Sequence, residues 1–268
     1  MHFLARGDMR VFKGKISVIM PAYNEGHHIY ENLRETHSVF KRSGRRFEII
    51  LVDDGSPDAT YDQAQKAARE LGSIIPVRLC ENGGKGNALR EGFKRSEGDL
   101  VIFLDADLDL HPGQVISLFR AMLDTGADVV IGSKHHPGSR ISYPSSRKAL
   151  SRAYALALKA LFGMPLMDTQ TGLKVFTRRA LEEAFPRVVC GRYAFDVELL
   201  AHAQEAGFSV TEAPVIMTFR RSAAWGRIRT TDVARMGLDT LAIFLRLHII
   251  RHYGTAFESG TFAMEGVV

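Results

Sequence analysis

Several large classes of protein are excluded by what this sequence lacks. Its two cysteines, Cys80 and Cys190, are far apart and have no metal-type spacing. Neither a disulfide framework nor a zinc site organises the chain, and a reducing compartment is expected. No apolar run is long enough for a spanning helix. The best stretches, 153–167 and 236–250, are broken by Lys159 and by Asp239 and Arg246, short of the roughly 18 uncharged residues required. Residues 1–15 carry Arg6, Asp8 and Arg10 without an apolar signal core. Neither sign of charge dominates: 35 basic against 30 acidic residues leave +5, too mild a bias for a dedicated nucleic-acid binder. Repeats and low-complexity stretches are absent. The first strand is not followed by G-x-G-x-x-G, and Gly84-Lys85 lacks both the preceding spacing and the Ser/Thr of a P-loop. The chain reads as soluble or peripheral, and its nucleotide chemistry, if any, must use other residues.

What is present is an α/β pattern. Apolar runs at Ile16–Met20, Phe47–Val52, Pro76–Cys80, Leu100–Leu104 and Asp128–Ile131 alternate with helical periodicities such as Ile29/Leu33/Thr36/Phe40 and Tyr61/Ala64/Ala68/Leu71. That alternation predicts βαβ units around a mostly parallel central sheet with flanking helices. Ser56-Pro57 has the chemistry of a helix N-cap and first turn. Beyond Pro144 helices are expected around 150–161, 195–206 and 231–252, with an extended stretch at 209–219. The expectation is one domain over 1–253: a nucleotide-type half at about 15–132, a substrate-type half at about 133–253, and a flexible tail over 254–268.

The early strands end in polar residues, at the edge where open α/β sheets bind ligands. The most informative end is Asp99-Leu100-Val101-Ile102-Phe103-Leu104-Asp105-Ala106-Asp107-Leu108-Asp109. In an extended chain Asp105, Asp107 and Asp109 share one side, and anions so crowded call for a cation or an ordered network. Carboxylates combined with ligand phosphates are the usual way to hold Mg2+ or Mn2+. A polar strand end leading to a cap before Pro112 is the plainer alternative. Asn82-Gly83-Gly84-Lys85-Gly86 opens a helix, where free amides and the Lys85 charge would favour a phosphate; a simple glycine turn is the other reading. His27, His28, His135 and His136 have no acidic or cysteine partners at ligand spacing and read as surface residues. Trp225, set among basic residues, reads equally as an interfacial anchor or as packing.

The ordered set Pro21-Ala22-Tyr23-Asn24-Glu25, Val52-Asp53-Asp54-Gly55-Ser56, Asn82-Gly83-Gly84-Lys85-Gly86, Asp105-Ala106-Asp107 and Gly132-Ser133-Lys134 resembles the family 2 glycosyltransferases of GT-A fold. Asp168-Thr169-Gln170-Thr171-Gly172-Leu173-Lys174 and Tyr193-Ala194-Phe195-Asp196-Val197-Glu198-Leu199-Leu200 narrow the resemblance to polyprenyl-phosphate sugar transferases, of the dolichyl-phosphate mannose synthase and dolichyl-phosphate β-glucosyltransferase types. It runs over about residues 15–250. It implies that Pro21, Tyr23, Glu25 and Asp53 line a base and ribose pocket. Asp54 and Lys85 would lie near the ribose and diphosphate, and Asp105 and Asp107, with Asp109 beside them, would hold the metal. Lys134, Arg147 and Arg227 would bind an acceptor phosphate, and Lys134 departs from the arginine usual in that family. Arg220, Arg221 and Arg227 fall where that family places a mobile basic loop.

The activity implied is inverting, metal-dependent transfer of glucose or mannose from a UDP- or GDP-sugar to a polyprenyl phosphate. Such an enzyme would work at the inner, cytoplasmic face of a membrane, with or without a separate membrane-protein partner. A hydroxyl acceptor would need a base, for which Asp168 is the first candidate and Asp196 the second. A nucleotide-sugar-binding subunit without turnover is the non-enzymatic alternative.

Overall fold

Apolar runs without alternation become strands buried on both faces, and the edge on which they end is set by their register. The structure, a computed structural model, describes residues 12–141, 145–164, 166–191, 194–218 and 230–250, with the backbone alone for helical residues 145–150, 230–235 and 250. The first four strands are β1 (Ile16–Ala22), β2 (Phe47–Asp53), β3 (Ile74–Arg78) and β4 (Leu100–Phe103). They lie parallel in the order β3-β2-β1-β4, and Ala22 pairs with Asp53 while Ile19 pairs with Phe103. The polar ends of β1, β2 and β4 therefore meet at one edge. Helices α1 (Ile29–Ser43), α2 (Thr60–Leu71) and α3 (Lys85–Lys94) make the crossovers.

The sheet continues through the second half of the chain. A short 3-10 turn at Pro112–Gln114 leads into α4 (Val115–Thr125), followed by β5 (Val129–Ser133), β6 (Arg140–Ile141) and α5 (Ser145–Phe162). Then come β7 (Lys174–Thr177), α6 (Arg178–Ala184), α7 (Phe195–Glu205), β8 (Val210–Pro214), β9 (Ile216–Met217) and α8 (Thr230–Leu245). Strand β7 inserts antiparallel between β4 and β5, and β8 closes the seven-stranded sheet beside β5. β6 and β9 form a separate parallel pair. Apolar side chains fill both faces, with Phe103 and Phe176 at 4.8 Å between ring centroids under α6 and α7. On the other face Leu33, Leu51 and Leu118 are fully buried beneath α1, α2 and α4.

Three local expectations are corrected. Strand β7 was not foreseen, because four residues starting with a lysine do not read as a buried strand. Ser56-Pro57 does not cap α2, which starts at Thr60. The Ser56 amide instead donates to Asp53 Oδ1 at 3.0 Å, and the Ser56 hydroxyl accepts the Asn24 amide at 3.0 Å, joining the loops after β1 and β2. The acidic run is not extended: β4 stops at Phe103, Ala106 and Asp107 form a turn, and Leu108 has φ 52°. Three hydrogen bonds hold this turn, from the Leu108 amide to the Asp105 carbonyl at 3.3 Å, from Asn32 Nδ2 to the Ala106 carbonyl at 2.7 Å and from the Asp109 amide to Asp107 Oδ1 at 3.2 Å.

Candidate active site

The edge where β1, β2 and β4 end borders a cavity of about 390 Å³. Pro21, Ala22, Tyr23 and Glu25 line it from β1, Asp54 from β2, and Asn82, Gly84 and Lys85 from the start of α3. Asp105, Ala106 and Asp107 complete the wall, whereas Asp109 is not part of it. Tyr23 is exposed, ready to offer its ring face, while Glu25 and Asp54 are buried. Asp53 lies behind this wall, fully buried. Its Oδ1 is taken by Ser56; its Oδ2 has no hydrogen-bond partner and faces Arg78 Nε at 3.5 Å.

The glycine loop does not present free amides to a phosphate, contrary to expectation. The Gly83 and Gly84 amides both donate to the Asp54 carboxylate at 2.9 Å, and the Gly86 and Asn87 amides both donate to the Gly191 carbonyl at 2.9 and 3.3 Å. The group this loop does present is the Lys85 ammonium, 2.6 Å from Asp105 Oδ1. Partial burial works against its charge, but Asp105 and Asp196 outweigh that and hold its pKa above the ordinary lysine value.

The two carboxylates of the turn are driven apart. Burial opposes ionisation of Asp105, yet Lys85, helped by Lys174 and Lys134, holds it below the usual carboxylate range. Burial pushes Asp107 up to about 6, and the negative charges of Asp105 and Asp109 add to the rise. A cation placed between the two carboxylates would favour ionisation of both. Among the described residues no three His, Cys, Asp or Glu side chains converge on a metal-sized point. Two carboxylates plus ligand phosphates is nonetheless the ordinary donor set for Mg2+, which keeps few protein ligands. The residues fit a metal shared with a bound diphosphate, not a closed protein cage.

Under the pair lies a layer that composition and spacing did not flag as functional. Strand β7 brings in Lys174, which is 1% exposed, with Nζ 2.6 Å from Asp196 Oδ1 and 2.5 Å from the Thr171 carbonyl. Burial pushes its pKa down, against the pull of Asp196. Next to it the Gly172 backbone touches Asp105 so closely that a Cβ there would sit 1.9 Å from Oδ2.

Lys134 and Asp168 form the other side. Asp168 accepts the Lys134 amide at 2.9 Å, the Gln170 amide at 3.2 Å and the Thr171 hydroxyl, and lies 3.5 Å from Lys134 Nζ. Its side chain is nearly inaccessible. Asp196 is likewise buried against Lys174. His135, read as a surface residue, is half-buried, and its Nε2 is 2.8 Å from Ser151 Oγ; only its proximity to Lys134 in sequence hinted at this. Ser151, Tyr154, Asp168, Thr169 and Gln170 border a crevice of about 20 Å³, where Thr169 Oγ1 and Gln170 Nε2 are buried without hydrogen-bond partners. The Arg147 side chain, Tyr193, Arg220, Arg221, Trp225, Arg227 and the tail 254–268 lie outside the described residues.

The mostly parallel sheet with flanking helices carries an Asp-x-Asp turn beside an open cleft at its strand ends. The sequence model of glycosyl transferase family 2 matches residues 17–185, and the chain belongs to that family. It is 32% identical to the glycosyltransferase AglD of Haloferax volcanii over 237 residues, 88% of this chain and 38% of that one. It is 38% identical to the dolichol-phosphate mannosyltransferase of Pyrococcus furiosus, over 52% of this chain and 38% of that one. It is 30% identical to the human dolichyl-phosphate beta-glucosyltransferase, over 87% of this chain and 75% of that one. The chain thus spans well under half the length of the first two relatives. In structure it is similar to glucosyl-3-phosphoglycerate synthase from Mycobacterium tuberculosis, solved with UDP, at a TM-score of 0.66 and 21% identity, covering 90% of this chain and 83% of that chain. That synthase has also been solved with Mn2+, UDP-glucose and phosphoglyceric acid. At this identity the likeness speaks to the fold.

Proposed function

We propose that the chain is an inverting, metal-dependent hexosyltransferase that moves glucose or mannose from a UDP- or GDP-sugar to a polyprenyl phosphate. The observation that carries this reading is the state of the acceptor-side carboxylates. A hydroxyl acceptor must lose a proton to a base in the transition state. Asp168 already accepts from Lys134, Gln170 and Thr171, and Asp196 is closed against Lys174. A phosphate acceptor is ionised near pH 7, its second pKa being about 6. It needs cations that bring two anions together, and Lys134 is such a cation beside the cleft.

In this reading Tyr23 stacks on the base and Asp53 exchanges its contact with Arg78 for a base N–H, while Asp54 and Glu25 face the ribose. Lys85 would meet the diphosphate, and Asp105 and Asp107 would hold a metal ion there, Asp109 lying outside the cavity wall. The metal would neutralise charge on the departing diphosphate. Lys134, Arg147 and Arg227 hold the acceptor phosphate for attack on the face of the sugar opposite the diphosphate, which inverts the anomeric centre. The names of the mannosyl and glucosyl relatives support both the sugar class and the lipid acceptor.

A polyprenyl chain stays in a bilayer, so the site must work at a membrane surface. Among the described residues no helix is long and apolar enough to cross one. Helix α8 and its π-helical end Arg246–Ile250 instead expose Leu238, Leu241, Leu245 and Ile249 on one face, Leu238 at 68% and Ile249 at 65%. Such a stripe suits an interfacial helix. Incubation with Mg2+ or Mn2+, short polyprenyl phosphates and a panel of UDP- and GDP-sugars, read by mass spectrometry of the lipid, tests the proposal. A hexosyl-phosphoryl-polyprenol is the expected product; donor hydrolysis alone with every lipid would overturn it.

A further inference from the structure

The amides that open α3 are held from a distance. Gly86 and Asn87 donate to the Gly191 carbonyl, and the two backbones approach so closely that a Cβ on Gly191 would meet the Gly83 carbonyl oxygen at 3.3 Å. The segment carrying Gly191 is anchored in turn by Glu198 of α7. Glu198 Oε2 accepts the Val189 amide at 2.9 Å and the Cys190 amide at 2.6 Å, while Oε1 accepts from Arg246 Nη2 at 2.8 Å. Glu198 is fully buried and Arg246 is partly exposed. Arg246 starts the π-helical segment that ends α8, and Leu247 beside it is buried in the core, as is Ile243 one turn earlier. Wide turns of this kind are uncommon and tend to sit at functional sites.

We infer that Glu198 and Arg246 are positioning residues for the donor diphosphate, acting through the 189–191 segment on the first turn of α3 and so on Lys85. Lys85 is the first residue of α3, directly after Gly84. The direction of its side chain follows from where that helix starts, and the Gly191 carbonyl holds that start from one side as the Asp54 carboxylate does from the other. A buried carboxylate that loses its cationic partner must find another or relax, and the second Glu198 oxygen is the one that accepts the Val189 and Cys190 amides. Arg246 thus holds the lysine that meets the diphosphate without touching any substrate. It also sits on the same helix as the exposed leucine stripe, so the face proposed to meet the membrane and the donor site share one rigid connection. The inference rests on the nucleotide-sugar reading of the cleft.

Binding by the whole 268-residue chain tests it, with Mg2+ present. UDP and GDP are titrated calorimetrically, and uridine and guanosine, which reach only the base and ribose, are followed by ligand-observed NMR. Arg246→Met and Glu198→Gln should weaken the diphosphate that binds by about tenfold, the scale of one charge-assisted contact. The matching nucleoside should change less than about twofold. Arg246→Lys should recover most of the loss. The double variant Lys85→Met/Arg246→Met should bind no more weakly than Lys85→Met, because both act on one contact. Equal losses for nucleoside and diphosphate, no loss for either, or additive losses in the double variant would overturn the inference. If neither UDP nor GDP binds the unaltered protein, the functional reading itself is wrong and the inference falls with it.

Discussion

Replacing Gly172 by alanine adds one methyl group at the most crowded point of the site. The new Cβ would lie 1.9 Å from Asp105 Oδ2, 2.2 Å from Cγ and 2.9 Å from Oδ1. Ordinary contact begins at 3.4 Å, so Oδ2 must retreat by about 1.5 Å. The backbone cannot yield easily, because the Leu173 carbonyl accepts the Gly132 amide at 3.0 Å and Lys174 enters β7 directly after it. Asp105 therefore moves, and its 2.6 Å contact with Lys85 is lost with it. A misplacement of about 1 Å at a reacting centre costs on the order of 10²-fold in rate, or about 2.7 kcal/mol of activation free energy. The assay is kcat/KM for hexose transfer across an Mn2+ titration, with melting temperature as a check on folding. Gly237→Ala, on an exposed stretch of α8 with nothing within 4 Å, is the control and should leave transfer unchanged. If Gly172→Ala folds and turns over like the parent at every metal concentration, Asp105 is not held where the chemistry needs it.

Asp107→Asn should keep the fold yet lose at least about 10²-fold in transfer, and chelation of the unaltered protein should abolish it; unchanged turnover and metal titration would remove Asp107 from the site. His202 is fully buried, and burial, aided by Arg187 and Arg246 against the pull of Glu198, lowers its pKa from 6.5 to about 4. The unfolded chain then binds the extra proton between those values, so this stability is complete above about pH 6.5 and is lost as pH falls toward 4, about 3 kcal/mol in all. Urea unfolding of the parent and His202→Gln should show their difference shrinking by that amount from pH 7 to pH 4; a constant difference would contradict it. Replacing Leu238, Leu241 and Ile249 by serine should release the protein from anionic liposomes in high salt, where the attraction of the basic loop is screened. Equal sedimentation of parent and variant would remove α8 from the membrane surface.

The parallel half of the sheet was legible because buried strands are written as unbroken apolar runs, from Ile16 to Met20 and from Leu100 onward. The acidic pair was legible for the same reason: Asp105 and Asp107 follow directly on such a run. Other features depended on partners remote in the chain. Nothing near Gly86 announces that its amide is spoken for by Gly191, so the helix start looked like an anion site. The acids after β4 looked extended because Leu108 gives no sign of a positive φ. Lys174 was visible as part of a motif, but its burial comes from β7 lying between β4 and β5, a neighbour relation that periodicity does not encode. His135 looked like surface because its partner, Ser151, belongs to the next helix.

The proposed acceptor is a phosphate because Asp168 and Asp196 are already committed to other partners. The most direct measurement offers the enzyme a polyprenyl phosphate and the polyprenol of the same length together, with one nucleotide sugar and Mn2+, and quantifies both glycosylated lipids by mass spectrometry. Without a free base the alcohol forfeits the 10²- to 10⁴-fold or so that general base catalysis supplies. The phosphate product should therefore exceed the alcohol product by at least about 10²-fold. Comparable transfer to the polyprenol would mean that Asp168 or Asp196 is freed to act as a base, and would contradict the account.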